Sequence, residues 1–152
     1  MKQALSFAVG GARAAGVLSG RSGSDLDDLY RFGRQLGLAF QVVDDILDFT
    51  GSDQQLGKPA ASDLASGYLT APVLYALEER PALAGLIERE FCEAGDLEQA
   101  LALVRGCEAI PRSRLLAEEF AREAHGAIEW LPASEPRSAL RALPEFVLSR
   151  LY

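Results

Sequence analysis

The chain has 152 residues, of which 49% are hydrophobic and 24% charged, a balance that excludes disorder and is large enough for one ordinary buried core. Its net charge of −7 argues against binding nucleic acid or an anionic membrane through a basic surface. The two cysteines, Cys92 and Cys107, stand in no CxxC or Cys/His cluster, so neither a zinc site nor a disulfide framework is expected. No secretory leader is visible, and no stretch is apolar for the roughly 18 residues that a membrane span needs.

The acids fall into two populations. Eight of nine Asp lie between Asp25 and Asp63, whereas all thirteen Glu lie at or after Glu78. Only two lysines occur, Lys2 and Lys58, against thirteen Arg.

In chain order the periodicity is helical, which predicts an all-α fold. A first helix covers Lys2–Leu18 and ends at Ser19-Gly20. It has no cap before it, so upstream sequence is expected. Ser24 to Asp27 resembles a capping box and opens a long helix reaching about Phe49. A loop rich in Gly, Pro and Ser runs over 51–62. Asp63 is placed to cap a short turn, and Pro72 begins a helix to about Glu79. Pro81 predicts a helix to about Glu93, closed by Gly95. Asp96 is expected to cap the next, which Gly106 ends. A long helix over 111–131 and a last short helix pair ending at Tyr152 complete the chain. On the rear helices Glu118, Glu119, Arg122 and Glu123 read as a solvated face. His125, Trp130, Phe91, Phe120 and Phe146 read as structural or interface residues.

The informative stretch is 40–49. At about 100° per residue, Leu29, Gly33, Leu36, Phe40, Val43 and Leu47 form one apolar stripe. Leu38, Val42, Ile46 and Phe49 form a second, roughly opposite. Gln41, Asp44, Asp45 and Asp48 share a sector about 100° wide between them. A helix flanked in this way is expected to be mostly buried. Three carboxylates there repel one another and lose hydration, at a cost of several kcal/mol unless neutralised. One neutraliser is arginine, with Arg31 and Arg34 the candidates. The other is Mg²⁺, which takes one or two carboxylates together with waters and substrate phosphate oxygens. Gly57-Lys58-Pro59 follows in a loop, where a lone lysine suits a metal-bound phosphate as a point charge.

These residues resemble a known family. FQVVDDILD followed by LGKPAASDLASGYLTAP is similar to the second aspartate-rich region of the trans-type isoprenyl diphosphate synthases. Phe40-Gln41, Asp44-Asp45-x-x-Asp48, Gly57-Lys58, Asp63 and Leu69-Thr70-x-Pro72 stand in family order and spacing. The resemblance is strong over 2–80, whereas 81–152 look like the family's supporting C-terminal helices. The wording of 67–72 is most similar to long-chain, solanesyl-like synthases of cyanobacteria and plastids.

The resemblance implies one all-α region over 1–152, the C-terminal half of an isoprenoid synthase bundle. It implies Mg²⁺ held by Asp44 and Asp45, with Asp48 more peripheral, Gln41 near the reacting allylic centre, and diphosphate contacts from Lys58 and Lys2. The implied reaction is head-to-tail condensation of an allylic diphosphate with isopentenyl diphosphate to a polyprenyl diphosphate, by a homodimer, in the cytoplasm or, in a plant, the plastid. Two positions depart from the family pattern: Gln3 replaces a threonine beside Lys2, and Tyr68 stands where a second lysine is usual. The first aspartate-rich region has no counterpart here, so little turnover is expected of this chain by itself. Two rival readings are a non-catalytic partner subunit of a synthase and a metal-binding helical domain unrelated to isoprenoids.

Overall fold

The computed structural model describes residues 2–51 and 61–152, with side chains other than those of 2–7 and 9. Eight helices and no strand occur among the described residues: α1 (Lys2–Leu18), α2 (Ser24–Thr50), α3 (Ser62–Ala65), α4 (Ala71–Glu79), α5 (Ala82–Glu88), α6 (Asp96–Arg105), α7 (Ala109–Ala127) and α8 (Glu135–Ser149). None of the described helices is long and apolar enough to cross a membrane.

The chain divides into two compact units, 1–43 with 116–152, and 44–115. The divisions fall inside α2, after Val43, and inside α7, before Leu116. In the first unit Phe32, Ala124, Ala127 and Ile128 form a buried cluster, with Leu36, Leu131 and Leu140 against it. Gly16 lets α1 approach α2 closely, since a β-carbon there would lie 2.5 Å from a Leu29 methyl and 2.8 Å from a Leu26 methyl. Gln35 on α2 donates to Glu123 on α7. Glu118, Glu119, Arg122 and Glu123 are otherwise the exposed face expected of them.

The second unit has a larger core, built on Phe49, Leu64, Val73, Leu83, Leu86 and Val104, in which α4, α5 and α6 pack on one another. Fully burying side chains of this size contributes roughly 1.5–3 kcal/mol each. Pro72 sits in the first turn of α4, where its missing N–H costs nothing.

Four local expectations are corrected. α5 ends at Glu88 rather than Glu93, because Glu90 and Phe91 take left-handed conformations at φ 55° and 54°. Asp96 does not cap its own helix; Gly95, at φ 91°, holds that position. The Asp96 carboxylate instead accepts two Arg89 N–H groups, from Nε at 2.8 Å and from a terminal nitrogen at 2.6 Å, and the Glu93 N–H. The helix after Gly106 runs over Ala109–Ala127, placing Pro111 in its first turn. The last segment is one helix rather than a pair. Ser134 caps it through its hydroxyl, and it continues through a fully buried Pro144 despite the hydrogen bond a proline removes.

Asp25 and Asp27 lie in the first turn of α2, where the helix dipole favours acids. Cys92 and Cys107 are both free thiols.

Candidate active site

The end of α2 carries the acidic sector. The apolar residues beside it are unevenly buried on both stripes: Val42, Ile46 and Phe49 are 0–6% exposed and Leu38 half-buried on one, and Val43 is fully buried on the other, where Leu36, Phe40 and Leu47 are only partly covered. The acids are graded as well. Asp44 is half-buried, Asp45 is 6% exposed and Asp48 1%. Gln41, one turn before Asp44 and Asp45 on the same helix, is half-buried.

Asp48 is tied into the chain. Its carboxylate accepts the Ser62 hydroxyl at 3.2 Å and the Asp63 backbone N–H at 3.2 Å. Its backbone carbonyl accepts the Ala61 N–H at 2.9 Å. The turn over 62–65 is therefore held from its N-terminal side by Asp48; Asp63, expected to cap it, lies inside the turn, where Ala61 holds the cap position and no side-chain cap bond forms. Ala61, at φ 57° and fully buried, supplies the sharp re-entry into this turn. The last turn of α2 is held by Arg105, whose Nε–H donates to the Phe49 carbonyl at 2.8 Å. A cation at a helix C-terminus is favoured by the dipole. Neither tie has a signal in the sequence: the partners are 14 to 56 residues apart, and nothing in local periodicity links them.

Arginine neutralisation from Arg31 or Arg34 does not occur. Arg31 pairs with Asp28 at 2.9 Å, and Arg34 contacts Gln35. Arg34 also stands ten residues before Asp44, about 15 Å along the axis.

Lys58 and Gly57 lie outside the described residues, as does the Lys2 side chain. Among the described residues no three His, Cys, Asp or Glu side chains converge as a closed metal cage. The donor set still suits Mg²⁺: these are hard carboxylate oxygens, two of them on buried residues, and Mg²⁺ needs only one or two protein carboxylates when substrate phosphates complete its shell. In the segment after α3, Thr70 is 8% exposed and its hydroxyl has no hydrogen-bond partner among the described residues.

The polyprenyl synthetase family model matches residues 1–104. This chain belongs to the polyprenyl synthetase family. A prenyl transferase of Synechocystis is 55% identical over 141 residues, covering 93% of this chain and 44% of the relative. Solanesyl diphosphate synthase 2 of Arabidopsis thaliana chloroplasts is 47% identical over 146 residues, covering 96% of this chain and 35% of the relative. Among solved structures, a polyprenyl synthase from Caulobacter crescentus complexed with calcium and isoprenyl diphosphate aligns with a TM-score of 0.79 at 34% identity, covering 90% of this chain and 43% of that one. The chain thus spans less than half the length of these polyprenyl synthetase relatives. The isoprenoid synthase fold expected from the aspartate motif is the fold observed.

Proposed function

We propose that this chain is the diphosphate-handling half of a Mg²⁺-dependent prenyltransferase that condenses an allylic diphosphate with isopentenyl diphosphate to a polyprenyl diphosphate. The observation that carries the reading is the pairing of a buried Asp45 with a half-buried Asp44 on one face of α2, inside the segment matched by the family model. The solved relative complexed with calcium and isoprenyl diphosphate supports it, being a case of a divalent cation together with a prenyl diphosphate in this family. Residues 2–80 carry the motifs and 81–152 support them. The whole enzyme is a homodimer, in the cytoplasm or a plastid.

Asp44 and Asp45 would hold Mg²⁺, with Asp48 peripheral to it. The chemistry drawn from that ion is neutralisation of the diphosphate as it departs. The allylic C–O bond breaks with its electron pair leaving on the diphosphate. The double bond of isopentenyl diphosphate then attacks the allylic carbon, and a proton is lost. Lys58 and Lys2 contribute positive charge to the diphosphates, and the Gln41 amide lies toward the reacting centre. The apolar residues beside the acids exclude water that would quench the cation.

Calorimetry on the chain tests this reading. Mg²⁺ binding should tighten in the presence of pyrophosphate and vanish in Asp44→Asn/Asp45→Asn. Mg²⁺ binding with no preference for pyrophosphate would instead favour a metal domain unrelated to isoprenoids. In the full-length enzyme Asp44→Ala and Asp45→Ala should abolish turnover; a rate retained in a stable heteromeric complex would favour a non-catalytic partner subunit.

A further inference from the structure

The first unit holds a second concavity, remote in sequence from the aspartates. It is a half-open cavity of about 320 Å³ between α1, the start of α2, residues 130–137 and α8. That volume lies in the range of small-molecule sites, roughly 300–1,000 Å³. Leu29, Phe32, Leu131 and Leu140 make its interior apolar.

The charged side chains that line it are of one sign. Arg21 and Arg137 both line it. The Arg21 guanidinium lies 5.5 Å from the centroid of the Trp130 ring, a stacking that orients the charge at little entropic cost. Its ion pair with Asp25 is long, at 3.4 Å, and joins an exposed Arg21 to a half-buried Asp25 near the surface, so it is weak. Arg137 donates one guanidinium N–H to the Glu129 carbonyl at 2.8 Å, which fixes the side chain, and its planar fork carries further N–H donors of the geometry that recognises phosphate and carboxylate. In a chain of net charge −7, two arginines over an apolar hollow are not a generic feature of the surface.

We propose that this cavity binds a small amphiphilic anion, a single apolar chain ending in a phosphate or carboxylate, with the chain among Leu29, Phe32, Leu131 and Leu140 and the head between Arg21 and Arg137. The site needs no metal, which separates it from the aspartate site.

Trp130 is the only tryptophan and lines the cavity, so its emission reports occupancy. The test titrates the chain in EDTA with geranyl phosphate, decyl phosphate, decanoate, geraniol and inorganic phosphate, below micellar concentration, with calorimetry in parallel. The three amphiphilic anions should shift Trp130 emission saturably. Geraniol and inorganic phosphate should each bind at least about tenfold more weakly, since each lacks one half of the recognition. Arg21→Gln and Arg137→Gln should weaken the anions and leave geraniol unchanged, Arg137→Lys should restore part of the loss, and Ala15→Phe should block every amphiphile by filling the cavity wall. Circular dichroism identifies variants that fail to fold; for those, Arg→Lys is the comparison. Geraniol binding as tightly as its phosphate, or anion affinity unchanged in both Arg→Gln variants, would overturn the proposal. Preference for the phosphates over decanoate would point to a phosphorylated prenyl chain, and the reverse to a fatty acid, each within the proposed class.

Discussion

The carboxylate of Asp48 accepts the backbone N–H of Asp63 at 3.2 Å, across fifteen residues of sequence. Together with the Ser62 hydroxyl, this ties the last turn of α2 to the turn over 62–65. The third acid of the motif is thus engaged by the chain itself.

Truncation of Asp48 should therefore cost stability. Asp48→Ala removes the acceptor of a half-buried N–H and hydroxyl, a loss of about 1 kcal/mol or more. Asp48→Asn keeps one carbonyl oxygen and should lose less. Urea denaturation of the two variants measures the difference. An Asp48→Ala protein as stable as the parent would contradict the tie.

This tie also marks what was legible in the sequence. Helix-period patterning over 24–50 located α2 to within a residue, because a 27-residue amphipathic helix carries its own stripe. The acids could be placed on one face from angles alone. Their grading from half-buried to 1% exposed could not, since it depends on Ser62, Asp63 and Arg105, which reach α2 from distant segments. The errors around 89–96 have the same origin. Arg89 and Asp96 find each other through a tertiary turn, drawing the Asp96 side chain away from the cap position that its helix-start signal suggested.

That pair makes stability depend on acid. The Arg89 hydrogen bonds hold the Asp96 carboxyl below its usual value of 3.8, and the Glu93 N–H adds to the effect, against the opposing cost of burial. A carboxyl lowered in the folded state stabilises the fold fully above its unfolded value. The contribution is lost as the pH falls through the lowered folded value. Unfolding free energy should thus decline with acidification below about pH 4, and Asp96→Asn should flatten that part of the curve. Denaturant titrations between neutral pH and pH 2 on both proteins provide the comparison; parallel curves would dissociate the acid limb from Asp96.

Thr70 offers a test in the opposite direction. Its hydroxyl is buried with no hydrogen-bond partner among the described residues, and it does not cap α4, although it stands at the N-cap position. Thr70→Val preserves the shape and removes the unmet polar group, so stability should be unchanged or rise by up to about 1–2 kcal/mol. A clear loss in the melting temperature would mean that the hydroxyl has a partner in solution, such as an ordered water.

Two glycines of the second unit separate backbone strain from crowding. Gly95 has φ 91° and Gly85 lies within α5, and at both positions a β-carbon would meet nothing within 4 Å. Crowding is therefore removed as a variable. At Gly95 a side chain is penalised by the left-handed backbone, so Gly95→Ala should cost about 1–2 kcal/mol. At Gly85 the backbone is helical and the residue exposed, so Gly85→Ala should stabilise by about 0.5–1 kcal/mol, through reduced freedom of the unfolded chain and better helix propensity. The two changes are chemically identical and should move the thermal midpoint in opposite directions. If both moved it the same way, the left-handed conformation assigned to Gly95, and with it the corrected boundary between α5 and α6, would not hold in solution.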